Sequence, residues 1–414
     1  MFTRPSRPTF LLPLLSFASL ALLAFSGCAS PGTVATDRQW IDAWGVSYLP
    51  TTINNAPAMG VPTFDHQTVR LSFLAKVAGS QARVKFTNQY GTEPLVIGAT
   101  HIALRTSGGA IDPATDRALT FNGAPSVTLA PGAEIWSDAA DIHIPQLADV
   151  AVSVYVNQRL KPTGFHLLGL KPAYLSAAGN FADAATMPQS TSNPTTTNSL
   201  FFVSDLQVLA PTNTKVIVAF GDSITDGANS DPDTNTSWPD VLAQRLASGG
   251  GSSTYAVINL GIGSNRVVSA DAAGPSGLHR FEKEALGRSN VTHIIVLEGI
   301  NDISYENAPA EQIIGAYRQM IAQAHAKKIK IYGATLLPIL NSRKYTPANE
   351  ATRAAVNDWI RTAREFDAVI DFERVVQDPA SPLSMRKDLT RDFVHPNSTG
   401  YKLLAESIDL NLLK

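Results

Sequence analysis

The stretch Lys215–Gly227, KVIVAFGDSITDG, joins a short apolar run to a glycine-bounded turn that carries Ser223. The apolar part does not alternate with polar residues, which marks a strand buried on both faces. Ala256–Leu260, His293–Leu297, Ile329–Ala334 and Ala368–Phe372 have the same character. Helical patterns fill the intervals, from near Ser237 through Leu246, over Pro309–Lys327, and over about Asn349–Glu365 and Ser398–Leu410. In Pro309–Lys327 the residues Ile313, Ile314, Tyr317, Ile321 and Ala324 share one face. Alternating β and α units of this size predict a doubly wound parallel sheet. Right-handed crossovers then bring every strand's C-terminal end to one edge, where functional loops gather.

Upstream the rhythm changes. Thr68–Val77 (TVRLSFLAKV) and Gln81–Thr87 (QARVKFT) alternate apolar and polar residues. Further strand-like runs follow at Leu95–Ile102, Ala118–Phe121, Ser126–Leu129, Ile142–Ile144, Val150–Val156 and Leu200–Val208, separated by Gly, Pro, Asn and Asp. Such spacing predicts an all-β sandwich, jelly-roll-like, over residues 38–210. Trp40, Trp44 and Trp136 read as its core rather than as sugar platforms. Ser190–Ser199 is polar and of low complexity, as in an exposed loop. Pro211–Thr214 is the expected linker, and residues 215–414 form the α/β domain.

The chain's 414 residues suit two such domains. With 33 basic against 35 acidic side chains there is no cationic excess to neutralise phosphates, which argues against a nucleic-acid partner. One cysteine excludes an intrachain disulfide framework and a Cys-rich zinc site. That cysteine, Cys28, stands at the end of an N-terminal segment with Arg4 and Arg7 followed by the apolar run Phe10–Phe25. The run is short for a membrane span and right for a signal peptide over residues 1–27. Ser26-Gly27-Cys28 resembles a bacterial lipobox, with Phe25 where Leu is commonest. That resemblance implies cleavage before Cys28, lipid attachment to its sulfur and a tether over residues 28–37. A plain secretory signal and an uncleaved anchor are the alternatives, and the protein is expected outside the cytoplasm.

Four motifs sit where the topology places function. Gly221-Asp222-Ser223 leaves the first α/β strand. Gly261-Ile262-Gly263-Ser264-Asn265 leaves the second, and Gly299-Ile300-Asn301-Asp302 follows the third. Asp392-Phe393-Val394-His395 lies on the loop before the last helix. A carboxylate three residues from a histidine can fix the imidazole tautomer, and the imidazole can take a proton from a serine. A glycine N–H and an asparagine amide can face a developing oxyanion. Taken singly, each motif also fits a plainer role as a helix cap, a Gly-rich turn or a surface histidine. Asp222 and Asp226 are candidates to hold turn N–H groups, Arg266 to face substrate, and His293 to be a core histidine. The histidines make no H-E-x-x-H spacing, so no metal or other cofactor is expected.

Together, in the order Ser, Gly, Asn, Asp-x-x-His, the motifs resemble the SGNH (GDSL) hydrolase family over about residue 215 to the C-terminus. The resemblance implies a flavodoxin-like three-layer α/β/α domain and metal-free ester hydrolysis. It implies Ser223 as nucleophile, His395 as base and Asp392 as its partner, with the N–H groups of Ser223 and Gly263 and the Asn301 amide as oxyanion donors. Thr68–Ile97, with Trp44-Gly45 before it, is similar to the N-terminal region of an arylesterase- or acylhydrolase-like branch. The expectation is an exported serine esterase removing short acyl groups, acetyl above all, from a small-molecule or glycan ester. The alternatives are a lipase or lysophospholipase, an acyltransferase, or a glycan-binding surface lipoprotein with an inactive hydrolase domain. Membrane contact is expected only through a lipid anchor, and nothing in the sequence sets an oligomeric state.

Overall fold

The computed structural model describes residues 37–414, apart from 54–55, 58–60, 191–194, 250–253 and 271–273. The expected signal segment and Cys28 lie outside the described residues. No helix among the described residues is long and apolar enough to cross a membrane. Asp37–Lys414 form one compact unit.

The C-terminal part is built on five parallel strands. Their spatial order is Tyr255–Gly261, Lys215–Gly221, Val291–Leu297, Lys330–Ala334, Ala368–Ile370, or 2-1-3-4-5 in chain order. This is the flavodoxin-like order, in which ligands bind where the winding reverses, beside the first strand. The absent alternation is explained directly: Lys215–Gly221 is buried from its second residue onward, and Val291–Leu297 from its third. Helices flank the sheet. Trp238–Ser248 packs with Ser398–Ser407, and Ala310–Ala326 with Pro347–Thr362. Register is what matters for function. Gly221 pairs with Gly261 on one side and Leu297 on the other, so three strands end level and their exit loops start side by side.

The N-terminal part is antiparallel. One sheet runs Arg38–Gly45, Val203–Pro211, Ala82–Thr87, Glu134–Trp136, and a larger one centres on Phe64–Leu74 and Asp149–Leu160. Thr68–Val77 alternates apolar and polar residues, and Thr68, Arg70 and Ser72 on its polar side are all buried. This strand is central, and loops cover its polar face: Arg70 donates to Ser153 Oγ at 2.8 Å and to the carbonyls of Gly109 and Ala184 at 2.7 Å. Ile142–Ile144 is not a strand; it meets the sheet through a single bridge between Gly79 and Ile144. Of Trp40, Trp44 and Trp136 only Trp44 is core, stacked on Phe73 at 4.0 Å. Trp40 and Trp136 are half-buried with the Arg83 guanidinium over both rings, at 4.7 and 4.8 Å.

The two parts share one continuous apolar core, and the Arg38–Gly45 strand packs along Tyr255–Gly261. Charges also cross the seam. Arg288 meets Asp205 at 2.6 Å, Lys171 meets Asp233 at 3.0 Å, and Lys76 pairs with Asp240.

Candidate active site

Ser223 begins the four-residue helix Ser223–Asp226, directly after the first strand. The Asp222 side chain caps that helix, accepting the Ile224 N–H at 2.9 Å. Burial pushes the Asp222 carboxyl up to about 6, against the pull of the Ile224 N–H and of Lys344 and His395. Two motif glycines are demanded by close approach rather than by turn geometry. A Cβ on Gly221 would lie 2.1 Å from the Leu297 carbonyl oxygen, and one on Gly261 would lie 2.1 Å from the Asp226 nitrogen. The backbone of neighbouring exits thus runs where a side chain would stand.

The distant histidine loop reaches this turn. His395 Nε2 lies 2.8 Å from Ser223 Oγ, and His395 Nδ1 lies 2.8 Å from Asp392 Oδ2. The second carboxylate oxygen accepts the N–H groups of Val394 at 3.0 Å and His395 at 2.8 Å. Partial burial works against the Asp392 charge. The hydrogen bonds from His395 and Val394 outweigh it and hold the carboxyl well below its usual range. A fixed carboxylate on Nδ1 selects the tautomer with Nε2 bare, so Nε2 accepts the serine hydroxyl. Phe393, between the two, has φ +57°, a conformation bulky residues rarely hold. Thr390 anchors the loop by donating to the His395 carbonyl at 2.8 Å.

The oxyanion candidates lie on the three strand exits that start side by side. The Ser223 N–H heads a helix whose first N–H groups lack intrahelical partners. Gly263 has space at its Cα: the nearest atom to an added Cβ would be Leu167 Cδ2 at 3.9 Å, from the β-rich part. The Gly263 N–H also faces the Asp226 carboxylate and helps hold its charge. Asn301 is buried, and its Nδ2 donates to the Asn265 carbonyl at 2.9 Å. Its Oδ1 accepts from Lys344 Nζ at 2.7 Å.

The sequence did not disclose the scaffold beneath these groups. The buried Arg280 ties the exits together, donating to the Gly221 and Leu260 carbonyls and to Asn265 Oδ1, each at 2.8 Å. It also donates to Ser47 Oγ at 3.2 Å, which belongs to the β-rich part. Asn259 holds the Thr225 carbonyl at 2.9 Å and accepts the Gly261 N–H at 2.9 Å. His166, also from the β-rich part, places Nε2 3.3 Å from Asp226 Oδ1. Burial opposes the His166 charge, yet attraction to Asp226 and three hydrogen bonds raise its pKa; burial raises that of Asp226. Asp302 accepts the N–H groups of Val267 and Val268 at 2.9 Å, which sets the chain after Asn265, and burial lifts its carboxyl to about 6. Arg266 does not point freely at substrate: NH1 meets Glu306 at 2.7 Å beside the Tyr305 ring. Asp222 holds a turn N–H as expected, whereas Asp226 faces His166 and the Gly263 N–H of the next strand exit instead; His293 is buried, with burial first and Lys330 next lowering it to about 4. Asp302 lies within a quoted motif and so had a signal. His166, Arg280 and Lys344 had none, because their partners lie tens to hundreds of residues away.

Residues 219–403 match the model of the GDSL-like Lipase/Acylhydrolase family. No curated protein matches the chain. Among solved structures, a lipase/acylhydrolase from Enterococcus faecalis is 23% identical, covering 47% of this chain and 93% of its own, with a TM-score of 0.38. A carbohydrate acetylesterase family member from Sinorhizobium meliloti is 16% identical, with coverages of 48% and 97% and a TM-score of 0.40. The M. smegmatis aryl esterase is 17% identical, with coverages of 47% and 96% and a TM-score of 0.38.

Proposed function

Since residues 219–403 belong to the GDSL-like lipase/acylhydrolase family, we propose that the chain is a serine esterase working through an acyl-enzyme on Ser223. The observation that carries this reading is the hydrogen-bonded line Ser223–His395–Asp392, with 2.8 Å at both links. A serine hydroxyl is a poor nucleophile until a base takes its proton. In the first half-reaction His395 Nε2 accepts the Ser223 proton as Oγ bonds to the ester carbonyl carbon. The carbonyl oxygen gains charge beside the proposed donors, the N–H groups of Ser223 and Gly263 and the Asn301 amide. The tetrahedral intermediate then collapses, His395 returns the proton to the departing alcohol, and the acyl group stays on Oγ. Water repeats the sequence and frees the acid. Asp392 keeps its charge throughout and stabilises the imidazolium.

The substrate proposed is a short acyl ester, acetyl first, on a carbohydrate or similar hydroxyl-rich alcohol. The exposed groups on the strand-exit side support this, with the carboxylates of Asp392 and Glu306 and the partly apolar surfaces of Tyr305 and Leu167. The β-rich part then contributes one wall, through Leu167. Export, with Cys28 as lipid attachment site, is proposed from the sequence alone.

The test is p-nitrophenyl ester hydrolysis across acyl lengths, with Ser223→Ala as control. Acetate should be fastest, with a steep fall beyond about four carbons, because an acyl site fitted to acetyl would exclude longer chains. Ser223→Ala should be inactive yet folded; wild-type activity in that variant would overturn the serine mechanism. Rising rates with longer chains would favour a lipase, and acyl transfer to an added glycan an acyltransferase. Labelling of wild type but not Cys28→Ser by a lipid precursor checks the anchor.

A further inference from the structure

Asn301 is held from both sides by partners of opposite kind. Lys344 Nζ, which can only donate, lies 2.7 Å from Oδ1. The Asn265 carbonyl, which can only accept, lies 2.9 Å from Nδ2. A flipped amide would set NH2 against an ammonium and oxygen against a carbonyl, so both neighbours select one orientation. In it, one N–H goes to Asn265 and the second is left for an oxygen arriving beside Ser223.

Lys344 is an unusual residue to find in this place. It is only 5% exposed, and among the described residues no carboxylate lies within salt-bridge reach. Its other close neighbour is the Tyr305 ring, 4.1 Å from Nζ. A buried ammonium is costly to desolvate and normally sits on an acid. This one is directed at an amide oxygen instead. Its backbone is pinned there: the Lys344 N–H donates to Ser342 Oγ at 3.1 Å, and Asn349 Nδ2 donates to the Lys344 carbonyl at 2.8 Å. Asn349 is itself set in the first turn of Pro347–Thr362, which Thr346 caps. A positive charge on Oδ1 also polarises the amide, which makes its free N–H a stronger donor.

We propose that Lys344 is a positioning residue of the oxyanion site, fixing and polarising the Asn301 amide without touching substrate. The inference rests on the reading of Asn301 as an oxyanion donor.

A double-mutant cycle on p-nitrophenyl acetate hydrolysis by the full chain tests it. Asn301→Ala should lower kcat by about 10²–10³. Lys344→Met should lower kcat by about tenfold or more, with KM within about twofold, since the interaction matters only in the transition state. The double variant should be no slower than Asn301→Ala alone, because Lys344 acts through that side chain. Lys344→Arg, which keeps the charge and the donor, should recover most of the loss. If Lys344→Met does not fold, Lys344→Gln takes its place in the cycle. Wild-type kcat in the lysine variant, or losses that multiply in the double variant, would overturn the proposal. If Asn301→Ala keeps wild-type kcat while Ser223→Ala is inactive, the reading of Asn301 fails first, and the two failures are told apart.

Discussion

Replacing His166 by leucine puts the seam between the two parts under direct test. His166 and Asp226 are each about 4% exposed at the side chain and lie 3.3 Å apart. Asp226 Oδ2 already has no hydrogen-bond partner among the described residues. Leucine therefore leaves a buried carboxylate with little but the Gly263 N–H and distant Arg280 to hold its charge. Removing one partner of a buried pair typically costs about 3–5 kcal/mol. That range is expected as a loss of unfolding free energy in urea at pH 6. The sign with pH follows from the raised His166 pKa. The histidine's contribution is fully present below its unfolded value, near 6.5, and is lost as pH rises through the folded value. The penalty should therefore shrink by pH 9. Pairing the change with Asp226→Asn should recover much of the loss, because removing both partners spares the orphaned charge. Activity should fall as well, since Asp226 adjoins the Ser223 turn and faces Gly263. A cost under about 1 kcal/mol for His166→Leu, with no recovery in the double variant, would refute the reasoning.

Two other outcomes are expected. Glu298 is fully buried, neither carboxylate oxygen is hydrogen-bonded among the described residues, and Arg280 lies 3.8 Å from Oε1; burial, only partly offset by Arg280, raises it to about 8. Its contribution is greatest below about 4.3 and declines as pH rises towards 8, so Glu298→Gln should flatten the urea stability profile over that window. Gly261→Ala should fail to fold, as its Cβ would sit 2.1 Å from the Asp226 nitrogen, whereas Gly263→Ala should fold and melt near wild type. Parallel thermal melts with soluble yields decide both, and a well-folded Gly261→Ala would contradict the packing.

The sequence exposed the α/β part well because its information is local. A fully buried strand writes itself as a plain apolar run, and Ser237 or Asn397 marks a helix start within four residues. The level strand ends then explain why Ser223, Gly263 and Asn301, 78 positions apart from first to last, meet at one edge. The β-rich part was harder. Period-two alternation gives the strand but not what covers its second face, and Arg70 is buried by loops whose path no pattern announces. The supporting side chains were hidden for a related reason. Lys344 reads as one more basic residue in a loop, and only tertiary placement sets it on Asn301, 43 positions earlier. Arg280 sits in a short helix of ordinary composition.

Arg280 bears on how this protein can be cut and recombined. Its guanidinium spans two strand exits and Asn265 while also touching Ser47, and His166 accompanies Ser47 by facing its carbonyl at 2.8 Å. The boundary drawn between strand-rich and α/β segments is thus no natural splice point. Expressing residues 215–414 alone would strip a hydroxyl from Arg280 and a histidine from Asp226. Grafting a foreign N-terminal half would re-tune the geometry around Ser223 along with whatever surface it brought. Any chimera should carry Ser47, His166, Asp226 and Arg280 together, as one inheritance.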